Sequence, residues 1–187
     1  MPRCMLYTTT GATHGLINVM KALAVSCNYY FYEAGYRTGI TAIDNTAKAL
    51  GLGEPTGIEL PESTGQMATE AVKKKLENTN WYVGDSLQAA IGQSYSLFTP
   101  LQLAEYCATI ANGGTLMKPY MIDHVENVGG QTVKKFLPSA YGTLMSANDA
   151  QFLTHLMSQV VEIGTGSAMR GASYTVAGKT GSAEFEA

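Results

Sequence analysis

The sequence predicts an α+β fold in which helices dominate and short strands come late in the chain. Residues 16–24 are apolar on nearly every side of a helix, which is typical of a buried helix. Residues 120–128 alternate like a strand, a tight turn follows at Gly129-Gly130, and residues 132–136 return as the second strand of a hairpin. Residues 174–177 predict a last short strand, which leads into a glycine.

The composition is that of a single globular domain. The chain has 187 residues, of which 45% are hydrophobic and 14% charged, and its formal net charge is −3. This balance argues against nucleic acid as a partner and against electrostatic docking on an anionic membrane. No apolar run approaches the roughly 20 residues that span a bilayer. The first 15 residues lack the apolar core of a signal peptide.

Other elements have signals at their ends. Residues 29–36 carry aromatic side chains at helical spacing, and residues 41–50 form an amphipathic pattern that stops before glycines. Thr99-Pro100 is a strong helix start, because threonine caps free amides and proline loses no hydrogen bond at the first helical position. Ser146 begins a second capped helix. Residues 54–75 are rich in turn-forming residues and end in lysines, which predicts an irregular, solvent-facing excursion.

The cysteines and histidines give no sign of a metal site. Cys4, Cys27 and Cys107 are an odd number, so a full disulfide framework is excluded. Cys27 and Cys107 fall in apolar helical stretches and are expected to be buried thiols. The spacings between the cysteines do not resemble a metal knuckle, and the histidines are equally scattered (His14, His124, His155). We therefore expect no metal.

The most informative short motif is Lys179-Thr180-Gly181. A strand that ends in glycine allows a substrate backbone to approach closely, because no side chain blocks it. Lys179 offers a positive charge and Thr180 a hydroxyl, which together suit a carboxylate. The backbone amide of Ser182 can stabilise a tetrahedral oxyanion. Taken alone, the tripeptide also fits a solvated turn with a surface lysine.

A second motif, Ser26-Cys27-Asn28, follows the first apolar helix. It also fits a helix junction at which Ser26 and Asn28 satisfy free backbone groups. In a functional interpretation, the Ser26 hydroxyl relays a proton and the Asn28 amide holds a substrate carbonyl. The hydroxyl needs a neighbouring amine or carboxylate to do this near neutral pH. Lys179 can be that neighbour only if the fold joins the two distant segments.

Longer segments between the motifs carry a resemblance to a known family. Residues 90–104 contain Gly-Gln-Ser followed by Thr-Pro-Leu-Gln-Leu-Ala, and residues 110–114 read Ile-Ala-Asn-Gly-Gly. Residues 57–61, 164–168 and 176–184 extend the match in the same order. The chain resembles the penicillin-binding protein transpeptidase domain, class B-like, of the serine β-lactamase/transpeptidase superfamily. The resemblance covers nearly the whole chain.

The resemblance implies a partial transpeptidase fold, mainly the helical lobe plus the strand carrying Lys-Thr-Gly. Residues 1–187 are expected to be a fragment of a single domain, cut at both ends. The family's nucleophile lies in a Ser-x-x-Lys motif, and this chain contains none. Two smaller departures are Ser94, where the family usually has glycine, and Ser182, where threonine is commoner.

By resemblance, the parent protein is a D,D-transpeptidase that cross-links peptidoglycan through a serine acyl-enzyme. Its partners are stem peptides ending in D-Ala-D-Ala and β-lactams, it needs no cofactor, and it acts on the extracytoplasmic face of the bacterial cytoplasmic membrane. In this scheme Ser26 would relay protons and Asn28 would position the acyl amide. The terminal carboxylate region would be bound by Lys179, Thr180 and Gly181. The Ser182 amide would complete the oxyanion hole. Without its nucleophile, this chain is not expected to turn over substrate.

Two alternatives stay open from the sequence. One is a non-catalytic module that binds stem peptides or a partner, and the other, which the Thr-Pro-Leu-Gln segment disfavours, is a β-lactamase. The missing nucleophile helix is expected to leave an apolar trench, which would favour self-association of the chain. The expected lining residues are Leu16, Val19, Leu23, Leu103 and Ile110.

Overall fold

The structure, a computed structural model, describes residues 2–182 and confirms the α+β prediction. Helices form most of the first 111 residues, and two small sheets and one long helix follow. A short 3-10 helix at Ser167–Met169 and an irregular segment end the described part of the chain. The helices are α1 (Met5–Thr10), α2 (Val19–Ala24), α3 (Asn28–Thr38), α4 (Ile40–Ala49), α5 (Glu70–Glu77), α6 (Val83–Ala89), α7 (Pro100–Ala111) and α8 (Ala147–Ile163).

The strands form two separate antiparallel pairs. Strand β1 pairs with β4, so that Thr115 faces Thr143, and β2 pairs with β3 around the predicted glycine turn. The second pair is exposed along its whole length, and it is shorter than the alternating sequence pattern. The strands are β1 (Thr115–Met117), β2 (His124–Glu126), β3 (Thr132–Lys135) and β4 (Ala140–Thr143).

The centre of the core is the contact between α2 and α8. Helix α2 contributes Ala22 and Ala24, which are fully buried, and their small side chains let the two helices approach closely. Helix α8 contributes Leu156, Val160 and Val161. Burying such aliphatic side chains stabilises the fold by about 1.5–3 kcal/mol each. This packing fixes the end of α2, where the first short motif begins.

Helix α7 begins as the sequence predicts, and its Gln102 side chain binds the irregular segment that starts at residue 54. The Thr99 side chain accepts a hydrogen bond from the Gln102 amide at 3.2 Å. The Gln102 side chain is only 1% exposed, and its Nε2 donates to the carbonyls of Glu54 at 2.7 Å and Thr64 at 2.8 Å. A buried glutamine is stable here because its amide group is hydrogen-bonded at both ends.

Several local predictions need correction. The lysines at the end of residues 54–75 lie in α5, which Thr69 caps by accepting from the Val72 amide at 3.3 Å. Cys107 is exposed on α7 rather than buried. Ile110 is buried in the core and cannot line a trench, whereas Leu16 is fully exposed.

The predicted strand at residues 174–177 is not formed within residues 2–182. A strand exists only where a neighbour pairs with it, and the described residues provide no ladder for this segment. The Lys-Thr-Gly motif therefore follows an irregular segment. None of the helices in the described range is both long and apolar enough to cross a membrane.

Candidate active site

The first side of the site is a tight turn between α2 and α3. The Ser26 amide donates to the Leu23 carbonyl at 3.2 Å, and the Cys27 amide donates to the Ala22 carbonyl at 2.9 Å. Ser26 has φ +54°, a left-handed conformation that costs a residue with a side chain roughly 1–2 kcal/mol. Asn28 is the first residue of α3. The turn thus presents Ser26 between the end of one helix and the start of the next.

The second side is Lys179, which the fold brings to Ser26 across 153 residues of sequence. Lys179 Nζ lies 2.9 Å from Ser26 Oγ and 2.7 Å from the Thr180 carbonyl oxygen. The residue as a whole is exposed, but burial around its amine removes water and lowers the pKa of Lys179 below its ordinary value. A depressed lysine pKa beside a hydroxyl is typical of groups that exchange protons.

Two hydrogen bonds hold the irregular segment that carries Lys179. The Gly178 amide donates to the Met157 carbonyl on α8 at 3.2 Å. The hydroxyls of Thr165 and Thr180 are 2.7 Å apart. Hydrogen bonds of this kind replace the missing strand ladder, so the motif is positioned by α8 and the turn that follows it.

The same turn also contacts the end of α2. The Thr165 amide donates to the Ala24 carbonyl at 3.0 Å. A Cβ on Gly164 would lie 2.1 Å from that carbonyl oxygen, a distance real Cβ atoms do not reach. Glycine is therefore required at position 164 for the two segments to meet. The junction between α2 and α8 sets the distance from Ser26 to Lys179.

Comparison with known proteins decides what this arrangement is. The sequence profile of the family described as "Penicillin binding protein transpeptidase domain" matches residues 5–187. The chain belongs to the penicillin-binding protein transpeptidase domain family. The match covers both short motifs, which confirms the resemblance drawn from the longer segments.

Individual relatives agree with the family assignment. The chain is 31% identical to the peptidoglycan D,D-transpeptidase MrdA of Acinetobacter baumannii over 92% of this chain and 26% of MrdA. The D,D-transpeptidase domain of a peptidoglycan glycosyltransferase from Eggerthella lenta superposes with a TM-score of 0.77 at 26% identity, over 94% of this chain and 44% of that one. Penicillin-binding protein PBP2 of Helicobacter pylori, in its complex with MreC, gives a TM-score of 0.75 at 33% identity over 90% of this chain and 31% of PBP2.

The chain thus spans about a quarter of the length of the MrdA relative. Within that span the structure brings together three of the predicted site residues, Ser26, Lys179 and Thr180. A Cβ on Gly181 would meet no atom of the described residues within 4 Å, so within that part of the chain the space beside this residue is open. Asn28 is adjacent in the chain to the Ser26 turn. The roles assigned to these residues remain predictions.

One residue of the site was missed by the sequence reasoning. Gln93 Nε2 donates to the Ser182 carbonyl at 2.7 Å and so links the end of the motif to the turn after α6. Gln93 belongs to the Gly-Gln-Ser segment by which the family was recognised. The segment could be recognised in the sequence, but nothing in its pattern indicated which distant backbone group the Gln93 side chain would contact.

A separate cluster near the site departs from the expectation of no metal. Cys4, His14 and Cys27 have their ligand atoms within 4.8 Å of one another, because α1 and the following loop fold back onto the start of α3. Burial opposes ionisation of Cys4, but backbone amides, led by that of Leu6, lower its pKa below the ordinary value. Among the residues that the structure describes, these three are the group able to hold a metal ion. Sequence spacing could not reveal it, since the three residues lie on different segments.

Proposed function

We propose that the whole protein is a D,D-transpeptidase that cross-links peptidoglycan stem peptides through a serine acyl-enzyme. In this proposal the present chain supplies one wall of its substrate groove. The observation that carries the proposal is the 2.9 Å contact between Lys179 Nζ and Ser26 Oγ, which joins two motifs of the family into one site. The names of the relatives support the same reaction class.

The contact suits a proton relay. When the acyl-enzyme forms, the leaving amine of the D-Ala-D-Ala bond needs a proton. Ser26 Oγ–H can donate it and recover one from the Lys179 ammonium at 2.9 Å. The lowered pKa of Lys179 eases this transfer, because a less basic ammonium gives up its proton more readily.

The neighbouring groups suit the rest of the substrate. Lys179 and the Thr180 hydroxyl can bind the terminal carboxylate of a stem peptide, for which β-lactams provide a similar carboxylate. The Asn28 amide would hold the acyl amide, and the Ser182 N–H would stabilise the oxyanion. The Gln93 contact supports this last role only indirectly, because it restrains Ser182 through its carbonyl oxygen while the N–H lies in the preceding peptide plane.

This chain is expected to bind stem peptides without reacting with them, since its 187 residues contain no Ser-x-x-Lys. Because its substrate would be peptidoglycan, we propose that the whole protein acts on the extracytoplasmic face of the cytoplasmic membrane. We expect no cofactor and no nucleic acid partner. The exposed apolar surface of α1 and of the residues after it favours self-association.

Peptide binding tests the proposal on this chain. Nuclear magnetic resonance titration with a stem peptide ending in D-Ala-D-Ala should shift resonances of residues 26–28 and 179–181, with weak and reversible affinity. Lys179→Met should weaken binding about tenfold or more, since a charge-assisted hydrogen bond contributes about 1.5–3 kcal/mol. Lys135→Met, an exposed lysine on β3, is the matched control and should bind as the parent chain does.

The proposal would be contradicted if a peptide ending in L-Ala-L-Ala bound equally well, or if Lys179→Met and Lys135→Met behaved alike. A longer form of the protein that contains a Ser-x-x-Lys motif separates the two candidate functions. If that form bound the peptide through Lys179 but formed no acyl-enzyme, the result would indicate the non-catalytic module instead.

A further inference from the structure

Two carbonyl oxygens of the Lys-Thr-Gly segment accept hydrogen bonds from side chains. The Thr180 carbonyl accepts from Lys179 Nζ at 2.7 Å, and the Ser182 carbonyl accepts from Gln93 Nε2 at 2.7 Å. The same Lys179 amine lies 2.9 Å from Ser26 Oγ, so the Thr180 carbonyl points toward the space between the two motifs. Residues 175–182 contain no helix, turn or bend, and the carbonyls of alternate residues in an extended chain point to one side. The Gln93 amide therefore meets the segment on the side where a peptide would lie.

The backbone around Gln93 directs its side chain at this carbonyl. Gln93 lies between two residues in left-handed conformations, Gly92 with φ +78° and Ser94 with φ +70°. Its own amide donates to the Gln88 carbonyl at 3.0 Å, which holds it against the end of α6. This chain direction is one that residues with a side chain rarely adopt, and it turns Gln93 toward Ser182.

The residues that follow Gln93 are held by the segment before α5. Gln66 and Leu97 exchange two backbone hydrogen bonds, at 2.7 and 2.9 Å, and Gln66 Nε2 donates to the Tyr95 carbonyl at 3.0 Å. A Cβ on Gly65 would lie 2.1 Å from the Leu97 carbonyl oxygen, so glycine is required for this close approach. Because the backbone is fixed on both sides, movement of Gln93 is confined to its side chain.

The Gln93 amide stands where a backbone N–H of a bound peptide would be placed. Extended peptides commonly bind by adding to an open strand edge through main-chain hydrogen bonds. No strand pairs with residues 174–182 within the described range 2–182, so this edge is open to a peptide. A stem peptide whose terminal carboxylate lies at Lys179 runs along the segment toward Ser182. Its amide N–H and the Gln93 amide then require the same acceptor.

We propose that Gln93 caps the Ser182 carbonyl and that a stem peptide must displace this cap to bind. The proposal rests on the transpeptidase function proposed above and deepens it, because it assigns the Ser182 carbonyl as the acceptor for a peptide N–H. A single neutral hydrogen bond is weak enough to be displaced. The peptide N–H then restrains Ser182 in place of Gln93. Ligands that reach Lys179 but bring no N–H to Ser182 leave the cap closed.

The sign of one substitution tests the proposal. Gln93→Met keeps the length of the side chain and removes its donor, so a stem peptide ending in D-Ala-D-Ala should bind about 2–10-fold more tightly in a nuclear magnetic resonance titration of this chain. That range follows from removing one competing hydrogen bond, which leaves a larger fraction of the chain competent to bind. A contact that only stabilises the segment predicts the opposite sign, since its loss would weaken binding. Gln151→Met, at an exposed position on α8, is the matched control and should bind as the parent chain does.

Gln93→Ala separates loss of the donor from added apolar contact. It should tighten binding as Gln93→Met does, whereas tightening by methionine alone would overturn the proposal. In the parent chain, the side-chain amide resonances of Gln93 should shift on saturation with peptide, because they lose the Ser182 carbonyl. Circular dichroism verifies that both variants are folded.

The failure of this inference differs from the failure of the proposed function. Binding that is specific for D-Ala-D-Ala and depends on Lys179, but that both Gln93 variants leave unchanged or weaken, overturns the cap and leaves the proposed function standing. If neither the parent chain nor Gln93→Met prefers D-Ala-D-Ala to L-Ala-L-Ala, the proposed function is contradicted and the cap falls with it.

Discussion

Two serines in this chain adopt left-handed backbone conformations, with different consequences. Ser26 has φ +54° within the candidate site, where its hydroxyl contacts Lys179. Ser94 has φ +70° in the turn after α6, at the position where the family usually has glycine. Strain at a site residue can serve its function, but no side-chain contact within residues 2–182 accounts for the strain at Ser94.

Ser94→Gly should therefore stabilise the fold. Removing the Cβ relieves roughly 1–2 kcal/mol of left-handed strain, part of which is offset by the greater freedom of glycine in the unfolded chain. We expect a net gain of about 0.5–1 kcal/mol in the free energy of unfolding, measured by urea denaturation. Ser173→Gly, at an exposed position without positive φ, should be neutral or slightly destabilising. Equal effects of the two substitutions would refute the strain argument.

The pKa of Lys179 provides a second test at the scale of single residues. Burial lowers its pKa, so it should lose its proton below the value of about 10.4 that lysine has in model peptides. At pH values between the lowered pKa of Lys179 in the folded chain and its ordinary pKa in the unfolded chain, the unfolded chain binds more protons than the folded one. The free energy of unfolding should therefore rise with pH in that range. Titration of the Lys179 side-chain resonance checks this directly. A titration midpoint at or above the ordinary pKa of lysine would exclude the desolvated amine that the relay needs.

At the scale of elements, the decisive contact is the junction of α2 with the turn after α8. Gly164→Ala would place a Cβ 2.1 Å from the Ala24 carbonyl oxygen, and the backbone would have to move. We expect a loss of about 1–3 kcal/mol in the free energy of unfolding, in the range of overpacked cores. The contact between Ser26 and Lys179 should loosen as well, which relaxation measurements on Lys179 would detect.

Gly84→Ala is the matched control for this junction. Position 84 lies in α6, and an added Cβ there meets no atom within 4 Å. It should be neutral or slightly stabilising, because alanine favours helix over glycine by about 1 kcal/mol. If Gly164→Ala were equally harmless, the junction would not set the geometry of the site.

The sequence predicted the elements whose signals are local. The α7 start at Thr99-Pro100 and the hairpin around Gly129-Gly130 were both confirmed, because capping and turn formation depend on a few neighbouring residues. The prediction of a strand before Lys179 was wrong. A strand forms only beside a partner strand, and the partner can come from any part of the chain. The Gln93 contact and the Cys4–His14–Cys27 cluster were missed for the same reason, since each joins distant segments.

At the scale of the whole molecule, exposed apolar surface predicts association. Leu16 is fully exposed beside the apolar cavity at α1, and Leu103 is 45% exposed on α7. We expect concentration-dependent sedimentation, and Leu16→Asp should weaken association about tenfold or more, which corresponds to about 1.4 kcal/mol. Leu76→Asp, at an exposed position on α5, is the control and should have little effect. A sharp monomer peak at every concentration would count against this prediction.

The central claim is that this chain carries the relay and carboxylate-binding groups of a transpeptidase but no nucleophile. The most direct measurement is the intact mass of the chain after incubation with a penicillin, beside an untreated control. The account predicts no adduct, because no Ser-x-x-Lys is present and Ser26 serves as a relay. A stoichiometric adduct, mapped to Ser26 and lost in Ser26→Ala, would show that the serine beside Lys179 is itself acylated and would contradict the assigned roles.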